Sequence, residues 1–205
     1  MERIVIGLTG DTSKGKGSVS QILKTKGFDV FVLSDFIVEE AVKMHWPHED
    51  RKVLQDLGDS MRSRFGNDIL VKKTFQLERF KIADHIVIDG IRHPDEITLL
   101  RDVFPEAKVI GVDMSDTRAF ELMRLRGRSG DPKTFQEYQL SKERERGEKG
   151  TNAMQVDECL KMADFMIWNE GTKFDLEYEV AKNLSILRVE GVAKAHESHG
   201  HHHER

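Results

Sequence analysis

The sequence predicts a three-layer α/β/α fold, a five-stranded parallel sheet covered by helices on both faces. Three observations predict it. Five short apolar runs rich in Val, Ile and Phe recur between longer helical patterns. Most of these runs are continuously apolar rather than alternating, as in strands buried on both faces. Each run also ends in a polar or glycine-bearing turn, and strands separated by helices imply right-handed crossovers and a parallel sheet.

The elements follow in chain order. A strand over Ile4–Leu8 runs into GDTSKGKGS and a helix over Gly17–Lys26. Val30–Leu33 is the second strand, followed by helices over Phe36–Met44, Arg51–Phe65 and Ile69–Phe80. His85–Asp89 precedes a helix over Pro94–Val103, where Asp95 and Glu96 set negative charge at the positive end of the macrodipole. Val109–Asp113 precedes helices over Thr117–Arg126, Thr134–Arg146 and Val156–Met162. Phe165–Trp168 is the last strand and Asp175–Leu184 the last helix. Without repeats or interior low-complexity linkers, residues 1–192 read as one domain, as suits a chain of 205 residues. The segment 124–152 is rich in Arg, Lys, Glu and Gly and reads as a peripheral, mobile insert. Residues 193–205, with His196, His199 and His201 to His203, read as a disordered tail.

Composition narrows the function. A net charge of -4 argues against a dedicated nucleic-acid binder. Cys159 is the single cysteine, so an internal disulfide and a paired-cysteine metal site are excluded, and it reads as packing. A strand begins almost at once without signal-peptide regions, and no apolar run approaches the roughly 20 residues of a membrane span. A cytoplasmic protein that does not engage membranes is expected. Its oligomeric state is not legible.

Ligands of open α/β sheets bind outside the carboxyl ends of the strands, so the five turns are where function is sought. Gly10, Asp11, Thr12, Ser13, Lys14, Gly15, Lys16, Gly17 and Ser18 form the strongest signal. Glycines let such a loop wrap a phosphate with backbone N–H groups, and the helix N-terminus adds positive potential. Lys16 supplies a point charge for β- and γ-phosphates, and Ser18 a hydroxyl for phosphate or a magnesium shell. Lys14 either adds to this anion site or points to solvent, the preferred reading. Asp35 is a candidate magnesium ligand or proton acceptor, or, with Ser34, a helix cap. Asp89 ends an apolar strand, the pattern of an acid that organises magnesium beside the loop. Arg92 could fork onto an acceptor phosphate. Arg62 is a second acceptor-binding candidate, Arg64 being read as solvated. Arg124, Arg126 and Arg128, with Arg144 and Arg146 further on, read as a lid that neutralises the moving phosphoryl group and excludes water. Asn169 reads as an adenine contact or a turn former. ATP and Mg2+ are the cofactors these residues call for.

In order, GLTGDTSKGKGS, VLSD, VIDGIRHPDEI, RLRGRSGDPKTFQEY and ADFMIWNEG resemble the dephospho-CoA-kinase-like and nucleoside-monophosphate-kinase-like P-loop proteins, especially archaeal and bacterial members with DGIR-x-P-x-E and R-G-R-x-x-D-P-K. The resemblance covers roughly Arg3 to Leu184. It implies a P-loop NTPase core of strand order 2-3-1-4-5, an acceptor-binding helical region over about 35–80 and an arginine-bearing lid. By motif it implies Lys16 and Ser18 at the ATP phosphates, Asp35 and Asp89 near magnesium and acceptor, and Arg92 at the acceptor. The KGKGS form, and the lack of D-x-D at Ser34-Asp35, lean toward monophosphate kinases. The expected activity is phosphoryl transfer from ATP to a small acceptor, a nucleoside or deoxynucleoside monophosphate. The alternatives are a dephospho-CoA kinase, or a regulatory ATPase without a small-molecule acceptor.

Overall fold

The central strand, β1 (Ile4–Thr9), is flanked by β3 (His85–Ile91) and β4 (Lys108–Asp113), with β2 (Asp29–Val32) and β5 (Phe165–Trp168) at the edges. The strand order is β2-β3-β1-β4-β5 and every pairing is parallel. This is a computed structural model, and it describes residues 3–128, 131–146 and 154–187, with the side chains of 144–146 excepted.

Period-two alternation explains why the strands are apolar throughout, because successive residues feed opposite cores. Val5, Ile86 and Ile88 pack toward α2 (Ser34–Lys43), α3 (Arg51–Phe65), α4 (Ile69–Gln76), α6 (Pro94–Val103) and α9 (Val156–Lys161). Ile6, Leu8 and Val87 pack toward α1 (Lys16–Thr25) and α10 (Lys173–Ile186). A small third cluster, Met114, Ala119, Met123 and Tyr138, joins α7 (Asp116–Arg126) to α8 (Phe135–Arg146). The segment expected to be peripheral therefore has an apolar root of its own.

Three local expectations are corrected. The helix expected over Ile69–Phe80 breaks at Leu77, which is extended (φ -69, ψ 133), and resumes as α5 (Glu78–Ile82). The break lets Phe80 seat its ring 5.4 Å from Phe31 and 5.9 Å from Phe104. Neither Ser34 nor Asp35 caps α2: the N-cap is Leu33 with no side-chain cap, and Asp35 lies in the first turn. The last helix starts at Lys173, because Thr172 and Asp175 form a reciprocal capping box. Cys159 is buried, and desolvation pushes its thiol well above the ordinary range, consistent with packing. Residues 147–153, the side chains of Arg144 and Arg146, and the tail 193–205 lie outside the described residues.

Candidate active site

The phosphate loop leaves the centre of the sheet and turns into α1 through backbone that only some residues tolerate. Gly10 has φ 144, and a Cβ there would sit 2.2 Å from the carbonyl oxygen of Val112, so β4 demands a glycine. Gly15, the left-handed N-cap of α1, would push a Cβ to 2.1 Å from Asn169 Nδ2. Asn169 thus closes on the loop from the end of β5, its amide 3.4 Å from the Lys14 carbonyl oxygen. Ser13 also carries a positive φ, 68. At Gly17 a Cβ would meet nothing within 4 Å, and both Gly17 and Ser18 are exposed at the mouth of the cradle. Lys16 folds over the loop, its ammonium 2.7 Å from the Gly10 and Asp11 carbonyl oxygens.

Lys14 corrects the sequence reading. It points neither to solvent nor into the cradle. The side chain is buried, and its Nζ lies 2.6 Å from Asp116 and 3.3 Å from Asp113 and donates to the Met114 carbonyl oxygen. A buried ammonium needs counter-charge, and the turn after β4 supplies two carboxylates. Asp116 also receives Lys142 of α8 at 2.7 Å and the Tyr138 hydroxyl at 3.3 Å. Desolvation raises the Asp116 pKa, but the Lys14 and Lys142 hydrogen bonds outweigh it and hold it at about 2. One carboxylate therefore ties the phosphate loop to α8.

On the other side of the loop a cavity of about 350 Å³ opens beneath α3. Arg51, Arg62, Arg92, Arg126 and Arg128 all line it, with Ile37, Leu54 and Leu70 as an apolar wall. Arg62 is 3% exposed, 3.3 Å from Asp59, and its Nε has no hydrogen-bond partner among the described residues. Burying an arginine this deeply is costly without an anion close by. Glu96 supplies part of the balance: it is fully buried, accepts the Arg92 and His93 backbone N–H groups at 2.8 and 3.1 Å, and caps α6 with His93. Burial pushes the Glu96 pKa up, while the Arg62 guanidinium, those hydrogen bonds and Arg92 oppose the rise. Arg92 then reaches Thr12 of the loop, Nη2 to Oγ1 3.1 Å, so cavity and cradle share a wall.

The two acids stand at the strand ends beside α1 and α2. Asp89 is buried and accepts the Ser20 hydroxyl. Asp35 is exposed, and its pKa is raised by desolvation, then by the Glu39 and Asp89 carboxylates, against Arg79. Asp35 and Asp89 thus repel each other electrostatically. Of the arginines expected in a lid, Arg126 is clamped by Asp131 at 2.9 Å and touches Ser13 of the loop at 3.3 Å. Arg124 is not brought to the cavity beneath α3: it lies exposed, 6.0 Å over the Phe120 ring, beside a separate surface cavity of about 320 Å³ that it lines with Glu121 and Leu125.

A second cavity, about 460 Å³, lies on the opposite flank of α1, between Gly17, Ser18, Gln21 and the start of α10. Arg118 lines it, donating to the Gly171 carbonyl oxygen from Nη2, with its Nε lacking a partner among the described residues. Asn169 lines the same cavity. Among the described residues no group of three or more His, Cys, Asp or Glu could hold a metal ion by itself.

Comparisons with known proteins now bear on this geometry. No protein-family model matches the chain. A UPF0200 protein of Pyrococcus abyssi is 33% identical over 188 residues, covering 86% of this chain and 94% of that protein. The chain belongs to the UPF0200 family. Another UPF0200 protein, from Methanoculleus marisnigri, is 30% identical over 183 residues, covering 89% of this chain and 96% of its own. Among solved structures, a shikimate kinase from Bacteroides thetaiotaomicron aligns with a TM-score of 0.57 at 11% identity, over 91% of this chain and 99% of that one. TT1252 from Thermus thermophilus aligns at 0.55 and 21% identity, over 93% and 100% of the two chains. This UPF0200 chain has the fold of P-loop kinases.

Sequence reasoning passed over Arg51, Arg118, Gly58 and Asp116. Arg118 carried a signal, since it opens the helix that follows the DMSD turn at a strand end. Arg51 and Gly58 show only when α3 is read at helical spacing from Arg62. The Asp116 link to Lys14 spans 102 positions, and no local pattern reports it.

Proposed function

We propose that this protein is an ATP- and magnesium-dependent phosphotransferase whose acceptor is a small phosphate-bearing molecule, a nucleoside or deoxynucleoside monophosphate. The observation that carries this reading is the wall shared by a phosphate loop and an arginine-lined cavity, bridged by Arg92 and Thr12. Two anionic substrates that must meet at one phosphorus need such adjacency.

ATP's phosphates would lie in the loop, with Lys16 moving from the Gly10 and Asp11 carbonyl oxygens onto the β- and γ-phosphates. The base would lie in the second cavity, with Asn169 and Arg118 at its rim. The acceptor phosphate would sit against Arg62 and Arg92. An acceptor oxygen then attacks the γ-phosphorus in line, the bond to the β,γ-bridging oxygen breaks, and ADP leaves carrying that electron pair. Arg92, Arg126 and Arg128 offset the negative charge spread over the moving group. In the first turn of α2, Asp35 would either take a proton from a singly protonated acceptor phosphate or serve as a magnesium ligand, one role excluding the other.

Ser18, Asp35 and Asp89 fit magnesium: they offer oxygen donors, and a cation beside the two acids would offset the mutual repulsion that, after desolvation and Glu39, raises the Asp35 pKa. When bound, the ion would neutralise charge on the β- and γ-phosphates. The protein's own part is to hold Asp89 in place through Ser20 and to present Ser18 at the open mouth of the cradle.

The test is a screen for ADP formation from ATP with ribo- and deoxynucleoside monophosphates and dephospho-CoA as acceptors. At least one monophosphate should stimulate turnover, and Lys16→Ala should cut it by at least about 100-fold while leaving the fold intact. ATP hydrolysis indifferent to every acceptor, or a Lys16→Ala variant near wild type, overturns the reading.

A further inference from the structure

Along α3, Arg51, Gln55, Gly58 and Arg62 follow one another at steps of four, three and four residues. That spacing keeps them on a single helical stripe, and all four line the cavity. Arg51 and Arg62 stand eleven residues apart in sequence, which at about 1.5 Å per residue separates their Cα atoms by about 16 Å along the axis. The stripe thus carries a cation at each end.

Its middle is a notch. Gly58 is buried mid-helix, where glycine costs about 1 kcal/mol against alanine. A Cβ there would lie 3.0 Å from Ile37 Cδ1 and 3.4 Å from Arg62 Nη1. The missing side chain keeps open the space between Ile37, Leu54 and Leu70. Phosphoryl transfer as read above employs Arg62 and Arg92 at the acceptor phosphate, and the lid arginines at the moving group. Arg51 serves neither. Its place at the far end of the stripe points to another negative group on the same ligand.

We infer that the acceptor is anionic at both ends: one phosphate at Arg62 and Arg92, a planar or apolar body across the Gly58 notch, and a second anionic group at Arg51. This rests on reading the cavity as the acceptor site, and it narrows the substrate class from simple monophosphates to doubly anionic molecules such as nucleoside bisphosphates. Two separated charge-assisted contacts fix both position and length, which a single phosphate contact does not.

Calorimetry on the full chain without ATP tests it, using the 5′-monophosphates and 3′,5′-bisphosphates of adenosine and thymidine at constant ionic strength. At least one bisphosphate should bind at least about tenfold tighter than its monophosphate. Arg51→Gln should shrink that preference to within about twofold without weakening the monophosphate, whereas Arg51→Lys, which keeps the charge, should retain at least about threefold. Arg64→Gln removes the same charge from the exposed opposite face of α3 and should change nothing. Thermal melting verifies that each variant folds. Equal affinity for mono- and bisphosphates, no binding of any probe, or a preference that survives Arg51→Gln or falls equally in Arg64→Gln overturns the inference. ATP binding that depends on Lys16, found alongside any of these, leaves the kinase reading standing. Loss of ATP binding alongside an intact bisphosphate preference would sink the kinase reading alone.

Discussion

The two cavities flanking the phosphate loop differ in charge far more than in size. The one beneath α3 holds five arginines in about 350 Å³, whereas the one between α1 and α10 holds Arg118 and Lys173 in about 460 Å³. The cations of the first come from three separate stretches of chain: α3, the residue after β3, and the turn that closes α7. Those of the second come only from the first turns of α7 and α10. Phosphates are recognised by converging forks of positive charge, and a base by a slot with few polar groups. Under the proposed function, the contrast would set the acceptor's phosphate on one side of the loop and the base of ATP on the other.

The largest expected effect tests the charged side. Arg62→Met keeps the bulk of the side chain and removes the guanidinium that offsets the buried Glu96. Acceptor-stimulated turnover should fall at least about 100-fold. Denaturant unfolding should show a loss of roughly 1–3 kcal/mol, since the buried Glu96 loses a nearby positive charge and Asp59 its ion pair. A variant with lost turnover and unchanged stability would mean that Glu96 does not depend on Arg62. Unchanged turnover would remove Arg62 from the acceptor site.

The sparse side should answer differently. Arg118→Ala is expected to raise the KM for ATP by about tenfold and leave the acceptor KM alone, because a single contact there contributes about 1.4 kcal/mol. Steady-state kinetics with each substrate varied in turn separates the two. A shift in the acceptor KM of similar size would break the division of labour between the cavities.

This division was only half legible in the sequence. The strands, their order through the family resemblance, and the phosphate loop could be read because each is a local pattern: short continuous apolar runs, and glycines where φ is positive. Arg62 and Arg92 stood out as arginines near strand ends or in the acceptor region. Gly58 did not, because a lone glycine in a helix says nothing until its neighbour Ile37 is placed against it. Lys14 was misread for the same reason. A lysine inside a glycine loop looks solvated until Asp113 and Asp116, about a hundred positions later, close over it. Arg124 was read together with Arg126 and Arg128, yet on α7 Arg124 and Arg126 stand two apart at about 100° per residue and so point to opposite sides, while Arg128 lies beyond the helix end at Gly127. The structure sends Arg124 outward over Phe120.

The smallest expected effect concerns the joint that holds α8 to the phosphate loop. Asp116 joins Lys14 to Lys142, and Asp116→Asn keeps the shape of that joint while removing its charge. Because Asp116 is partly solvated, the loss in unfolding free energy at neutral pH should be modest. Its pH dependence is diagnostic. The folded pKa of about 2 lies below the ordinary 3.8, so the stability the carboxylate contributes is fully present above about pH 4. It is lost as the pH falls through 4 toward 2. The gap between wild type and Asp116→Asn in urea midpoint should therefore be constant from neutral pH down to about 4 and shrink below it. Turnover at neutral pH should fall only a few-fold, since Arg126 still meets Ser13 through its own clamp on Asp131. A gap that keeps its size through the acid range would mean that the carboxylate's charge does not bind loop to α8. The apolar packing of Tyr138 against Met114 and Met123 would then carry that connection, and Tyr138→Ala would become the variant that separates them.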